Sequence, residues 1–179
     1  MAKERWAIDL AHSGIHFSVR HMVIAKVRGE FTRWSADIFT DSEDLGGASV
    51  EAVIDPSSLT TGVTDRDNHL KSADFLDVIR HPEIRFQSTR VQELGGDVLR
   101  VTGNLTIRGV TKEILLDVQN NGRIRDPWGK ERAGFSAKTS LDRKAFGLNW
   151  NQILESGGLV VGDRVEIEIE VEGTRTPGA

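Results

Sequence analysis

The residues able to do chemistry are concentrated in one stretch, Thr64 to Phe86, TDRDNHLKSADFLDVIRHPEIRF. There Asp65, Arg66, Asp67, His69, Lys71, Asp74, Asp77, Arg80 and His81 crowd around Leu70, Phe75, Leu76 and Val78. A histidine near a carboxylate can exchange protons, so His69 or the more distant His21 could work with Asp74 as acid and base. Such proximity is more often structural than catalytic. There is no G-x-S-x-G elbow, no phosphate-cradling loop and no H-E-x-x-H, so no motif places a nucleophile beside its base. The reading is therefore no catalytic residue and no enzyme. His12, His16, His21, His69 and His81 are the imidazoles available to a metal, but His16 and His21 fall on opposite faces of a regular strand and the other spacings match no ligand pattern. No metal and no cofactor are expected. The chain has no cysteine, which removes thiolate sites, disulfides and a cysteine nucleophile together.

The same stretch is the one place where the chain reads as helical. Thr64 with Asp67 three residues on fits a weak helix start. Pro82 ends any helix before it, because the residue preceding a proline is pushed out of the α region, and extended chain is expected again from Glu83. Polar heads and an apolar wedge in one short segment suit a lid or plug on a β-barrel.

Everything around it has the period of two. Ile15, Phe17, Val19 and His21 share one phase. Val27, Gly29 and Phe31 continue in odd phase, whereas Trp34, Ala36 and Ile38 are in even phase, so the face switches near Arg33 as at a β-bulge. Asp41 to Gly47 reads as an acidic loop, and Val50, Ala52 and Ile54 give the next strand one apolar face. Leu99, Val101, Gly103, Leu105, Ile107 and Gly109 lie on one face, and their two glycines leave space as a cavity would. Asn120-Asn121-Gly122 and Asp126 to Gly129 read as turns, flanking the in-phase series Ala133, Phe135, Ala137, Thr139 and Leu141. In the last strand Val165, Ile167, Ile169 and Val171 alternate with four glutamates that face water. The tail from Thr174 reads as frayed. Roughly eight strands result, the number whose closed barrel is packed solid or holds one small ligand. A sandwich would give similar spacing.

At 179 residues with 28% charged and 38% hydrophobic content, the chain is one globular domain spanning 1–179. A net charge of −4 argues against nucleic acid. MAKERWAIDL has no apolar run after its basic residues, and no later run suits a membrane span, so a cytoplasmic protein without stable membrane insertion is expected.

Trp6, Asp9, His12 and Ser13, then Ile15, Phe17, Val19, His21, Gly29 and Phe31, resemble the opening of the YceI-like family of lipocalin-like, polyisoprenoid-binding proteins. The resemblance continues through Ile54, Ser58, Thr61, Arg66, Asp67, His69, Leu70, Ser72, Asp74, Phe75, Asp77, Pro82, Ile84 and Phe86. It resumes at Gly103, Leu105, Thr106, Ile107, Gly109 and Thr111, and again at Ala137, Asp142, Arg143, Phe146, Gly147, Leu148 and Trp150. It covers a core of about residues 6–172. It implies an all-β fold: an antiparallel eight-stranded lipocalin-like β-barrel with a short helical segment near the barrel mouth and a long apolar tunnel. Leu76 departs from the family, which commonly has a second aromatic after Phe75, and many relatives carry a secretion signal.

The function expected from these readings is non-enzymatic binding, storage or transport of a long-chain isoprenoid or similar amphiphile. Phe17, Val19, His21, Phe31, Phe75, Leu76, Leu105, Ile107, Phe135 and Ile169 would line the tunnel. Arg66, His69, Asp74, Arg143, Asn149 and Trp150 would meet the head group, with a plain capping and stapling role as the alternative for Arg66, His69 and Asp74. Two other readings are an enzyme acting on a tunnel-bound amphiphile and a barrel working through its surface, for instance as a homodimer.

Overall fold

Two-residue periodicity becomes eleven antiparallel strands in the computed structural model, which describes residues 3–41, 44–154 and 158–176. They are β1 (Glu4–Ile8), β2 (Gly14–His21), β3 (Ala25–Phe31), β4 (Trp34–Asp41), β5 (Asp44–Ile54), β6 (Leu59–Thr60), β7 (Ile84–Gly95), β8 (Val98–Ile107), β9 (Val110–Arg125), β10 (Glu131–Asp142) and β11 (Val161–Thr176). β11 pairs with β2 along Val161–Glu170 and with β1 along Gly173–Thr176, so β1 and β2 are two halves of one barrel stave. β3 with β4, and β5 with β6, are likewise halves of single staves. Eleven strands therefore occupy eight positions, and the β1–β11 pairing closes the barrel. No described helix is long and apolar enough to cross a membrane.

The three staves break at one level, and the breaks have local causes. Asp9 accepts from the Ala11 N–H and Asp55 from the Ser57 N–H, each starting a single 3-10 turn where a strand would have run on. Opposite them, the face switch near Arg33 is an interruption between two strands rather than a bulge. The buried Ser58 hydroxyl accepts from the Arg33 N–H at 3.0 Å, and the Ser58 carbonyl accepts from Thr32 at 3.3 Å, replacing the ladder for two residues. Periodicity sees only the change of phase, which a bulge and an interruption share.

Three other local expectations change. Asp44–Gly47 of the predicted acidic loop is strand, with Asp44 opposite Asp41; Ser42 and Glu43 lie outside the described residues. Asn120-Asn121-Gly122 is not a turn. β9 runs through it to Arg125, and Asn121 is the extra residue of a bulge, since Phe135 faces Asn120 and Gly134 faces Gly122. Thr174–Thr176 are paired with β1, while Pro177–Ala179 lie outside the described residues. Gly157, of the pair Gly157-Gly158 that the sequence marks as a plain turn between strands, also lies outside them.

The helix α1 spans Thr64–Lys71 and stops ten residues before Pro82 would require it. Its N-cap is Val63, without a side-chain cap; Asp67 instead accepts from the N–H and hydroxyl of Thr61 at 2.8 and 2.5 Å, tying the first turn back to β6. Asp65 and Asp67 at its start and His69 and Lys71 at its end suit the helix dipole. None of its residues is buried, so α1 is a bracket and the plug is the turn after it. There Phe75 is only 4% exposed, held by N–H bonds from Phe75 and Asp77 to the Ser72 carbonyl and from Leu76 to Leu70. From the barrel, Arg108 donates to the Phe75 carbonyl at 2.7 Å.

Inside, Ile15, Ile54, Ile84, Phe86, Leu99, Val101, Leu105, Leu116, Val118 and Phe146 form one buried cluster. The glycines do not leave ligand space in the way their phase suggests. A Cβ on Gly103 would lie 2.5 Å from the Phe86 ring, and one on Gly29 would strike the Phe17 ring, so each makes room for a neighbouring strand's aromatic. Gly109, at φ +72°, belongs with Arg108 to the tight turn joining β8 to β9.

Candidate ligand cavity

Alternation along each stave sends every second side chain inward, and these chains line a cavity of about 530 Å³ running along the barrel. Phe17 and Val19 of β2, Phe31 of β3, Leu105 and Ile107 of β8, Phe135 of β10 and Ile169 of β11 line its walls. Phe75 and Leu76, with Leu70, line it at the α1 end. Nine of the residues expected in the tunnel are thus brought together. His21, at the last rung of β2, is not among them, although Val161 opposite it lines the cavity.

Of the residues expected at the head group, Arg143 alone lines the cavity. It follows Asp142, whose carboxylate starts a 3-10 turn by accepting from the Lys144 N–H and so directs the guanidinium inward. At 4% exposure the Arg143 side chain donates to the carbonyls of Gly162, Leu148, Trp150 and Val161 at 2.8, 2.5, 2.9 and 3.3 Å. Burial draws its pKa below the usual arginine range, against the carboxylates of Asp163 and Asp142. The loop from Leu148 to Trp150 has no ladder of its own there, and Arg143 serves its backbone.

Arg66, His69, Asp74, Asn149 and Trp150 lie outside the lining. Arg66 donates from Nε to the Thr61 hydroxyl at 2.7 Å and from Nη2 to the Thr61 carbonyl at 2.9 Å. His69 Nε2 lies 2.9 Å from Asp74 Oδ2, so the pairing of imidazole and carboxylate considered for catalysis does form. The imidazole is edge-on to Phe75 and Trp150, with centroids 5.1 and 4.5 Å apart, behind the plug rather than in the cavity. Asn149 is exposed.

At the far end the lining is polar in a way the sequence reading missed. Leu116, Val118 and Asn120 point inward in even phase, and the extra residue Asn121 shifts the phase so that Arg123 also points inward. The Arg123 guanidinium lies 4.7 Å over the buried Trp6 ring and donates to Glu4 at 3.2 Å. Arg175 donates to the other Glu4 oxygen at 2.8 Å, and its Nε lies 2.7 Å from Glu131, misaligned for a hydrogen bond. Trp6 Nε1 donates to the Thr40 hydroxyl at 3.0 Å, which donates to Glu4 at 3.3 Å. Burial pushes the Glu4 carboxyl up, but the bonds from Arg175 and Arg123 outweigh it and hold the pKa below its usual value. The signal was legible: even-phase Asn120 carries a strand through what resembles a turn. Trp34, Phe86 and Phe146 of the lining were also not singled out as site residues.

Outside the barrel, Asp9, His12 and Glu172 place their ligand-type atoms within 4.8 Å of one another. Arg132 donates to Asp9 at 3.1 Å and to Asp126 at 2.8 Å, supplying the positive charge a cation would bring. His12 holds Asp9 below the usual carboxylate range, and Asp9 raises His12 in return. The group is an ion-pair knot over the break between β1 and β2.

The YceI-like domain family matches residues 6–173. A UPF0312 protein of Vibrio campbellii is 35% identical over 165 residues, covering 92% of this chain and 83% of its own. One from Staphylococcus aureus is 35% identical over 168 residues, covering 93% and 95%. Among solved structures, the YceI protein of Campylobacter jejuni is 30% identical with a TM-score of 0.77, covering 88% of this chain and 90% of its own. A polyisoprenoid binding domain from Saccharophagus degradans has the same fold, with a TM-score of 0.67 at 16% identity over 96% and 98% of the two chains.

Proposed function

Because this chain belongs to the YceI-like family, we propose that it binds a long-chain isoprenoid or similar amphiphile without turnover, holding the apolar tail inside the barrel for storage or transport. The observation that carries this reading is the cavity: about 530 Å³ walled almost wholly by aliphatic and aromatic side chains. Its size is that of small-molecule sites, whose affinity comes mainly from apolar burial. At about 25 cal/mol per Å², a tail removing several hundred Å² from water gains enough to bind with no directional contact, after the cost of immobilising it. The polyisoprenoid-binding description of the S. degradans domain supports the same class of ligand. Phe17, Val19, Phe31, Phe75, Leu76, Leu105, Ile107, Phe135 and Ile169 are the proposed tail contacts. Arg66 and Arg143 are assigned to holding the α1 end shut, from the bonds they make.

The test is extraction of the purified protein with organic solvent and mass spectrometry of the extract, followed by titration with geraniol, farnesol and geranylgeraniol. Affinity should climb with each added isoprene unit until the cavity is filled. No lipid in the extract and no uptake of any of the three alcohols would reject the reading. A lipid recovered chemically unchanged after long incubation supports a carrier, whereas turnover lost in His69→Ala would replace it with an enzyme.

A further inference from the structure

The cavity has two ends, and polarity alone does not say which takes the head of a bound amphiphile. Resting on the reading of the cavity as a lipid site, we propose that the head lies at the end away from α1, against Asn120 and Arg123. We propose further that it is an uncharged hydrogen-bonding group, such as a hydroxyl, carbonyl or amide, with the tail running toward Phe75 and Leu76.

Among the described residues, the polar side chains lining the cavity are Thr40, Asn120, Arg123, Thr139 and Arg143. Toward α1, Arg143 is committed to four backbone carbonyls and the Thr139 hydroxyl to the Leu115 carbonyl at 2.8 Å. A head placed there would displace bonds that the buried backbone needs. At the far end Thr40 is engaged by Trp6 and Glu4. Asn120 differs. Its Oδ1 accepts from the Gly122 N–H at 2.9 Å within the bulge, which aligns the amide, and its Nδ2 makes no hydrogen bond among the described residues. An inward amide donor at the end of an apolar cavity selects a ligand carrying an acceptor, since a ligand without one leaves it unsatisfied.

Charge decides the rest. Arg123 and Arg175 are matched by Glu4 and Glu131, two guanidiniums against two carboxylates. Among the described residues no surplus cation at this end remains for a phosphate or diphosphate. Such a head would have to compete with Glu4 for both arginines, whereas a neutral head can accept from Asn120 and approach Arg123 without breaking either pair.

Wild-type protein and Asn120→Leu should be titrated with geranylgeraniol, geranylgeranyl diphosphate and the head-less hydrocarbon phytene, following tryptophan fluorescence, with thermal melting in parallel. Expected are about tenfold tighter binding of the alcohol than of the diphosphate by wild type, and a five- to tenfold loss for the alcohol alone in Asn120→Leu. The comparison within wild type stands even where the variant folds poorly. Tighter binding of the diphosphate, or equal losses for alcohol and phytene in the variant, would overturn the placement while leaving the lipid site intact. Failure of all three probes to bind wild type would remove the lipid site and this proposal together.

Discussion

Gly103→Ala tests whether the inward glycines serve the barrel or its contents. A methyl group there would lie 2.5 and 2.6 Å from two atoms of the Phe86 ring and 2.6 Å from the Gln87 carbonyl oxygen, closer than real Cβ contacts come. The ring can tilt, but the carbonyl belongs to β7, which pairs with β8 at Ser88 and Gly103, so the two strands must separate. Overpacking of this kind costs about 1–3 kcal/mol. At about 2–4 °C per kcal/mol for a domain of this size, the melting temperature should fall by about 2–12 °C. Gly134→Ala is the matched control: its Cβ would meet Asn121 at 3.7 Å and the Val171 carbonyl at 3.9 Å, ordinary contacts, and its backbone is not left-handed. That variant should be neutral or gain up to about 1 kcal/mol. Combining Gly103→Ala with Phe86→Leu removes the ring but not the carbonyl, so coupling in the double variant should recover part of the loss. Urea and thermal unfolding of the parent, the three single variants and the double variant measure these values. If Gly103→Ala unfolds together with Gly134→Ala, or if Phe86→Leu recovers the whole cost, the steric reasoning from the β7 backbone is wrong.

Arg143→Met should cost at least about 3 kcal/mol in urea unfolding, because the carbonyls of Gly162, Leu148 and Trp150 lose the guanidinium while Val161 keeps Asn151, and Arg143→Lys should rescue little of it since one ammonium cannot span them. Arg66→Ala should lower stability by about 1–2 kcal/mol equally with and without geranylgeraniol, as a staple on Thr61 would; a loss confined to the bound form would make Arg66 a ligand contact. Ala137→Phe, which fills the cavity, should weaken geranylgeraniol more than geraniol, and equal losses would mean that tail length is not read there. The raised His12 pKa makes its contribution fully present below the ordinary value of 6.5 and lost as pH rises through the folded-state value, so melting temperature should decline less between about pH 6 and pH 8 in His12→Gln than in the parent. The lowered Asp9 pKa acts in the opposite direction, present above its ordinary value of 3.8 and lost as acid titrates the folded state.

Where strands run regularly, the inward faces are legible from alternation alone: Val50, Ala52 and Ile54, Ala133 to Leu141, and Val165 to Val171 all line the cavity as their phase requires. Alternation loses meaning where the phase changes, because a turn, a bulge and a broken stave all alter the count in the same way. At Arg33 the answer depends on Ser58, twenty-five residues on, and at Asn121 on how Gly134 and Phe135 of β10 pair with Gly122 and Asn120 on either side of it; neither is visible locally. Density of polar residues misleads for a related reason. Thr64 to Phe86 and the loop after Asp142 are rich in Arg, His and Asp, yet their backbone lacks a ladder, and Arg66, Asp67 and Arg143 are taken up in supplying one. A strand has no such demand, since its N–H and C=O groups are already paired with its neighbours. A polar side chain turned inward from a strand can therefore be left over for a ligand where no neighbour takes it up, as Trp6 and Glu4 take up Thr40 and the Leu115 carbonyl takes up Thr139. By that reasoning Asn120, on β9 and read as part of a turn, carries the proposed head contact in place of Asn149.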